Sequence, residues 1–126
     1  NDLFYVLVFP EIRSSTGLAY RRVDDWFSSH PDDEQWPDAA ELERMYLLNP
    51  REWRFRNSFT QALVPDYPVI GLALEDIRRT EALFTEMTGS GSAVFGVFDS
   101  GEAARYAYET LRRVWKRCYF ILPLDF

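Results

Sequence analysis

A single cysteine and a single histidine in 126 residues leave little for thiol or metal chemistry to work with. Cys118 alone can close no internal disulfide, which fits a reducing cytoplasm. His30, between Ser29 and Pro31, has neither a second histidine nor a nucleophile beside it and reads as a solvated loop residue. The nearby run Asp32, Asp33 and Glu34 reads as a solvated acidic face, so no metal site is expected. No apolar run approaches the ~20 residues that a membrane-spanning helix needs, and no signal sequence opens the chain, so neither export nor a membrane partner is expected. Positive charge is the scarcer sign, with 14 Lys and Arg against 20 Asp and Glu and a net charge of -6. Phosphate backbones are held by clustered cations, so nucleic acid is not an expected partner.

What is present is a core. Apolar residues make up 47% of the chain and aromatics 17%, which argues against disorder and for one domain burying about two-thirds of its unfolded surface. Leu3 to Phe9 is β-branched and aromatic without polar alternation, the pattern of a strand covered on both faces. A sequence that starts directly on such a strand, with no Met, reads as part of something longer. Ser14, Ser15 and Thr16 can cap a helix whose core stripe is Ala19, Val23, Trp26 and Phe27. Tyr20 lies off that stripe, on the same face as Thr16 one turn earlier. The acidic stretch from Ser28 to Pro37, with two prolines, reads as a surface loop.

Asp38 and Glu41 predict a capped helix to Leu48 with an apolar edge of Leu42, Met45 and Tyr46. Asn49-Pro50 predicts a new helix at once, burying Phe55, Phe59, Ala62 and Leu63 and ending at Pro65. A helix over 66–79 turns Ile70, Leu74 and Ile77 inward. Leu83 to Met87 reads as a second strand and Val94 to Phe98 as a third. Asp99 caps a helix from Ser100 to Trp115 with Ala103, Ala107, Leu111 and Val114 inside, and Cys118 to Leu122 is a last strand. The order predicts an α+β fold, a ferredoxin-like split βαββαβ antiparallel sheet with extra helices in the first crossover. Such a sheet has one face without helices, yet three of these strands are apolar on both. Extra helices, a further domain or a dimer partner must cover that face.

Between strands two and three lies Thr88-Gly89-Ser90-Gly91-Ser92. Two glycines one residue apart permit a tight turn and a close backbone approach, and the hydroxyls can donate to an anion. There is no GxGxxG opening a helix and no Lys after the second glycine, so neither dinucleotide nor Walker-type phosphate chemistry is indicated. From the residues alone, a hairpin turn and an anion cradle both stand.

Met87 to Phe98, with Thr-Gly-Ser-Gly-Ser-Ala-Val-Phe at its centre, resembles the third conserved motif of the GHMP kinases, in the form found in their diphosphocytidyl-methylerythritol kinase branch. Strand one, Pro10 and Ser15-Thr16-Gly17-Leu18-Ala19-Tyr20 resemble the segment that opens the C-terminal domain of that family. Asn57 with Phe59 resembles the family's Asn before a helix. Pro65-Asp66-Tyr67-Pro68 resembles the break before the helix leading to the motif. The resemblance spans nearly the whole chain, except the insert around Ser28 to Trp36.

The resemblance implies a domain on the substrate side of an ATP- and magnesium-dependent kinase that phosphorylates a hydroxyl of a cytidine diphosphate-linked methylerythritol. It implies that Tyr20 stacks on the cytosine, that Thr16 lines the cytidine pocket, and that Gly89 to Ser92 closes the cleft on the diphosphate side. A base stacked on an aromatic ring gains roughly 1 to 3 kcal/mol, a usable contribution to binding. The family's Pro-x-x-x-Gly-Leu-Gly-Gly-Gly-Ser-Ser loop, and the Lys and Asp that act on the attacking hydroxyl, are absent from the sequence. In that family they belong to an N-terminal domain. No catalytic residue is therefore expected in 1–126, and the chain alone is expected to be inactive, because phosphoryl transfer rests on positioning and neutralising charge.

Two other classes fit the element order. An RNA-recognition module shares it, but the signature would place Ser92 where a stacking aromatic belongs and the charge is of the wrong sign. A non-catalytic ligand-sensing or dimerising domain would also explain strands that are apolar on both faces.

Overall fold

The computed structural model describes residues 2–10, 16–29, 39–55, 57–88 and 93–122. The elements run β1 (Phe4–Val8), α1 (Thr16–Ser29), α2 (Ala39–Tyr46), a 3-10 turn (Pro50–Glu52), α3 (Ser58–Leu63), α4 (Pro68–Arg78), β2 (Phe84–Met87), β3 (Val94–Phe98), α5 (Gly101–Leu111) and β4 (Cys118–Ile121). The strands form one antiparallel sheet in the order β2-β3-β1-β4. That is the split βαββαβ arrangement, with α1 to α4 in the first crossover and α5 in the second.

One face carries the main core. Side chains alternate across a strand, so Phe4, Val6 and Val8 of β1 share a face with their partners Phe98, Gly96 and Val94 of β3. α4 and α5 close this face with Ile70, Ala73, Leu74 and Ile77 from one helix and Ala104, Ala107 and Leu111 from the other. Each large side chain fully buried there stabilises by roughly 1.5 to 3 kcal/mol. Leu63 brings α3 into the same cluster.

The second face is covered in part. Val97 is fully buried yet lies outside the main cluster, paired with Tyr5 of β1 and Phe84 of β2. Over it sits a mesh of rings. Trp53 stacks on Tyr46 at 5.8 Å and meets Phe55 and Phe84 edge-on at 5.2 and 5.5 Å, and Phe84 touches Phe95 at 6.0 Å. The extra crossover segment therefore supplies a cover at this end. Toward β4 the face is open, with Tyr119 and Ile121 exposed.

Three expectations are corrected. The stretch after Asn49 is not one helix. Asn49 accepts from the Arg51 amide and caps only the 3-10 turn, after which Trp53 runs extended so that its ring can join the mesh. α2 forms as expected, but none of its residues is buried and Leu42 and Tyr46 are exposed, so its apolar edge makes no core. The cap of α5 is Ser100, whose hydroxyl accepts from the Ala103 amide, in place of Asp99. The inward alanine is accordingly Ala104, while Ala103 and Val114 are exposed. The insert 30–38, with His30, Asp32, Asp33 and Glu34, lies outside the described residues.

Cys118 opens β4 inside the core, and burial pushes its thiol from 9.0 up to about 11, against a smaller opposing pull from Arg112. Below pH 9 the thiol is neutral whether the chain is folded or not. Above it the unfolded chain ionises while the fold holds the proton, so stability falls with rising pH until about pH 11, where the folded thiol ionises too. The slope from this one group is at most about 1.4 kcal/mol per pH unit. Urea midpoints between pH 8 and 10 should fall in the wild type and fall less steeply in Cys118→Ala; equal slopes would exclude the thiol as the cause.

Candidate functional site

The glycine loop departs from the ends of two paired strands. Met87 faces Val94 as the last pair of the β2-β3 ladder. One step on, the Thr88 amide donates to the Ala93 carbonyl at 2.8 Å, and the Thr88 hydroxyl reaches the same oxygen at 3.3 Å. Thr88 is therefore part of a closed stem. Gly89, Ser90, Gly91 and Ser92 lie outside the described residues.

The stem is tied to α3. Asn57, just before the helix, donates from Nδ2 to the Met87 carbonyl at 2.8 Å. Thr60, in its first turn, donates from Oγ1 to Glu86 Oε1 at 2.6 Å, and the same carboxylate oxygen accepts from the Met87 amide at 2.8 Å. Glu86 Oε2 accepts from the Asn57 amide at 3.4 Å. Asn57 carries the family resemblance in the sequence. Thr60 and Glu86 do not, and nothing in a strand reading Phe-Thr-Glu-Met marks its carboxylate as a clamp.

Thr16 and Tyr20 both fall in α1, whose backbone sets them one turn apart on one face. Their side chains lie outside the described residues. α1 packs on α3, and α3 touches β2. Arg22 adds an ion pair with Asp66 in the turn after α3, at 2.8 Å and about 40% exposed, worth under about 1 kcal/mol. A chain of contacts thus links the helix carrying Thr16 and Tyr20 to the stem carrying Thr88. Among the described residues no three His, Cys, Asp or Glu gather to hold a metal.

Two surface clefts of about 710 and 720 Å³ lie elsewhere. One is lined by Arg51, Arg79, Glu81, Asp99 and Glu102, the other by Phe4, Leu48 and Trp53. The first also includes Phe98, the end of β3 opposite the glycine loop. Its two arginines face three carboxylates, which leaves no net attraction for an anion.

A profile of the GHMP kinase C-terminal domain matches residues 38–117. The chain belongs to the GHMP kinase C-terminal family. Two relatives are named 4-diphosphocytidyl-2-C-methyl-D-erythritol kinase. That of Treponema pallidum (strain Nichols) is 36% identical over 118 residues, covering 90% of this chain and 40% of that protein. That of Chloroherpeton thalassium is 35% identical over 111 residues, covering 86% and 37%. A solved 4-(cytidine 5'-diphospho)-2C-methyl-D-erythritol kinase superposes over 99% of this chain and 44% of its own with a TM-score of 0.76 at 27% identity. A mevalonate kinase from L. major reaches 0.60 at 13% identity over 100% of this chain and 44% of its own, a likeness of fold alone. The chain thus spans about two-fifths of the length of the relatives it matches. No helix among the described residues is long and apolar enough to cross a membrane.

Proposed function

We propose that this GHMP kinase domain is the substrate-side part of an enzyme that transfers the γ-phosphoryl group of ATP to a hydroxyl of 4-diphosphocytidyl-2-C-methyl-D-erythritol. The observation that carries the reading is the gap between TM-scores of 0.76 for the solved kinase of that substrate and 0.60 for the mevalonate kinase, matched by sequence identity of 36% over nine-tenths of the chain. A domain merely sharing the family fold would stand equally far from both.

In this proposal residues 1–126 form one C-terminal domain that binds and orients, and the rest of the protein supplies the phosphate loop and the groups acting on the hydroxyl. Tyr20 offers its ring to the cytosine, and Thr16, one turn away on the same face, lines the pocket beside it. Residues 88–92 border the diphosphate. ATP brings the phosphoryl group. No three His, Cys, Asp or Glu among the described residues gather to hold magnesium, so in this proposal the ion is held by the remainder of the protein.

The test is turnover of the cytidine-linked alcohol by the full-length gene product with ATP and magnesium. Tyr20→Ala should raise KM for that alcohol about 10-fold, the equivalent of one stacked base. Tyr20→Phe should keep wild-type values, because a face is needed and a hydroxyl is not. Phosphorylation of mevalonate or homoserine in place of the cytidine conjugate would overturn the substrate assignment. A KM indifferent to Tyr20→Ala would remove the stacking role.

A further inference from the structure

β2 is an edge strand, so every second backbone group along its outer side faces away from any strand partner. At Met87 both of its backbone groups are taken by side chains, the amide by Glu86 and the carbonyl by Asn57. The placement of Glu86 is costly on packing grounds. It shares the ring-lined face of the sheet with Phe84 two residues earlier and stands opposite Phe95 across the ladder. A side chain chosen only to fill that position would be apolar, since a half-buried carboxylate costs desolvation unless donors surround it. Here three donors do: the Thr60 hydroxyl, the Met87 amide and the Asn57 amide.

We propose that Glu86 is a positioning residue for substrate binding, its carboxylate clamping the Met87 to Thr88 stem to the first turn of α3. The proposal rests on the function proposed above. α3 carries the packing of α1, the helix of Thr16 and Tyr20. The clamp therefore sets the distance between the two parts of the binding site that sequence assigns. Without it the stem keeps its ladder to β3 and the Asn57 bond to the Met87 carbonyl but loses the ties to Thr60 and the Asn57 amide that run through the carboxylate, so its place relative to α1 loosens.

The test compares Glu86→Ala, Glu86→Gln and Thr60→Val in the full-length enzyme. Glu86→Ala should raise KM for the cytidine-linked alcohol about 10-fold with a smaller change in kcat. Thr60→Val, which removes one arm, should raise it about 3-fold. The double variant should be no worse than Glu86→Ala, because both act through one carboxylate. Glu86→Gln should recover KM to within about 2-fold, since its amide oxygen can still accept from Thr60 and Met87. Trp115→Phe is the control. It deletes a half-buried hydrogen bond to Asp76 on another element and should lower thermal stability without moving KM.

A KM unchanged in Glu86→Ala, or moved equally by Trp115→Phe, would overturn the positioning role. If the wild type fails to phosphorylate the cytidine conjugate, the functional reading fails instead. The clamp is then judged by exchange of the Met87 amide, which donates to Glu86 Oε1. That exchange should be faster in Glu86→Ala and unchanged in Glu86→Gln, and equal rates in all three would overturn it.

Discussion

Gly96→Val is expected to leave no cooperatively folded domain. Gly96 sits mid-strand in β3 on the helix-bearing face, and a Cβ there would lie 2.5 Å from Cγ2 of Ile77, 3.2 Å from Cβ of Ala82 and 3.3 Å from the Phe98 ring. Ile77 is itself fully buried in α4, so it has no open side to retreat into. Even one added methyl must push α4 off the sheet, and overpacking of this kind typically costs about 1 to 3 kcal/mol. Valine adds two further carbons beyond that Cβ, which brings the cost toward the 5 to 15 kcal/mol total stability of a typical domain. Gly96→Ala should therefore fold with its melting temperature lowered by roughly 4 to 12 °C, while Gly96→Val should show no sharp transition. Gly71 provides the contrast: its added Cβ would meet only Val64 at 3.2 Å. Helix propensity there returns up to about 1 kcal/mol on going to alanine, so Gly71→Ala should melt within a few degrees of the wild type. A Gly96→Val chain as stable as the wild type would mean that α4 does not seat on β3 at all.

The contrast between these glycines shows what local pattern can and cannot reveal. Periodicity places Ile70, Leu74 and Ile77 on one inward stripe of α4 because three contacts a helical turn apart leave a trace along the chain. The strand order and the connection through α5 follow from the same kind of trace. The contact between Gly96 and Ile77 leaves none, since it joins two elements that are each regular on their own. The Glu86 clamp is illegible for the same reason: Asn57 and Glu86 are 29 positions apart and each is unremarkable in its own segment. At Asp99-Ser100 two adjacent residues can both cap a helix, and Ala103 and Ala104 both lie at helical spacing from Ala107, so local pattern does not choose Ser100 or Ala104 as the fold does. Around Pro50 the capping signal was real but governed one turn, because burying Trp53 against Phe84 outweighs continuing a helix. Of the candidate site, Thr16 and Tyr20 share a helix as their spacing implies, and Thr88 closes the stem of a hairpin. Their connection through α3 depends on packing that no motif spells out.

Trp53→Ala is expected to have the next largest effect, and it tests what covers the second face of the sheet. Trp53 touches Tyr46, Phe55 and Phe84, and its indole nitrogen donates to the Leu48 carbonyl at 3.1 Å. α2 buries no residue of its own, and its Tyr46 ring stacks on Trp53 while Met45 Sδ accepts from the Arg54 amide at 3.0 Å, so Trp53 anchors the segment on which α2 rests. Truncation should cost about 3 kcal/mol, the low end for a large aromatic because the ring is half-buried. The loss should also be local, with amide exchange and protease cutting rising across 39–55 while α4 and α5 stay protected. Tyr5 offers a second readout, because it lies under the same cover: burial, with a smaller contribution from Tyr46, raises its hydroxyl above the ordinary 10.0. In Trp53→Ala the Tyr5 ring, followed by NMR, should titrate closer to that ordinary value. Trp53→Phe, which keeps a ring over Phe84 and loses only the bond to Leu48, should shift both readouts by less than half as much. Unchanged Tyr5 titration in Trp53→Ala would mean that Val97 and Tyr5 are shielded by something other than the crossover segment, and the extra helices would lose their assigned part in closing the sheet.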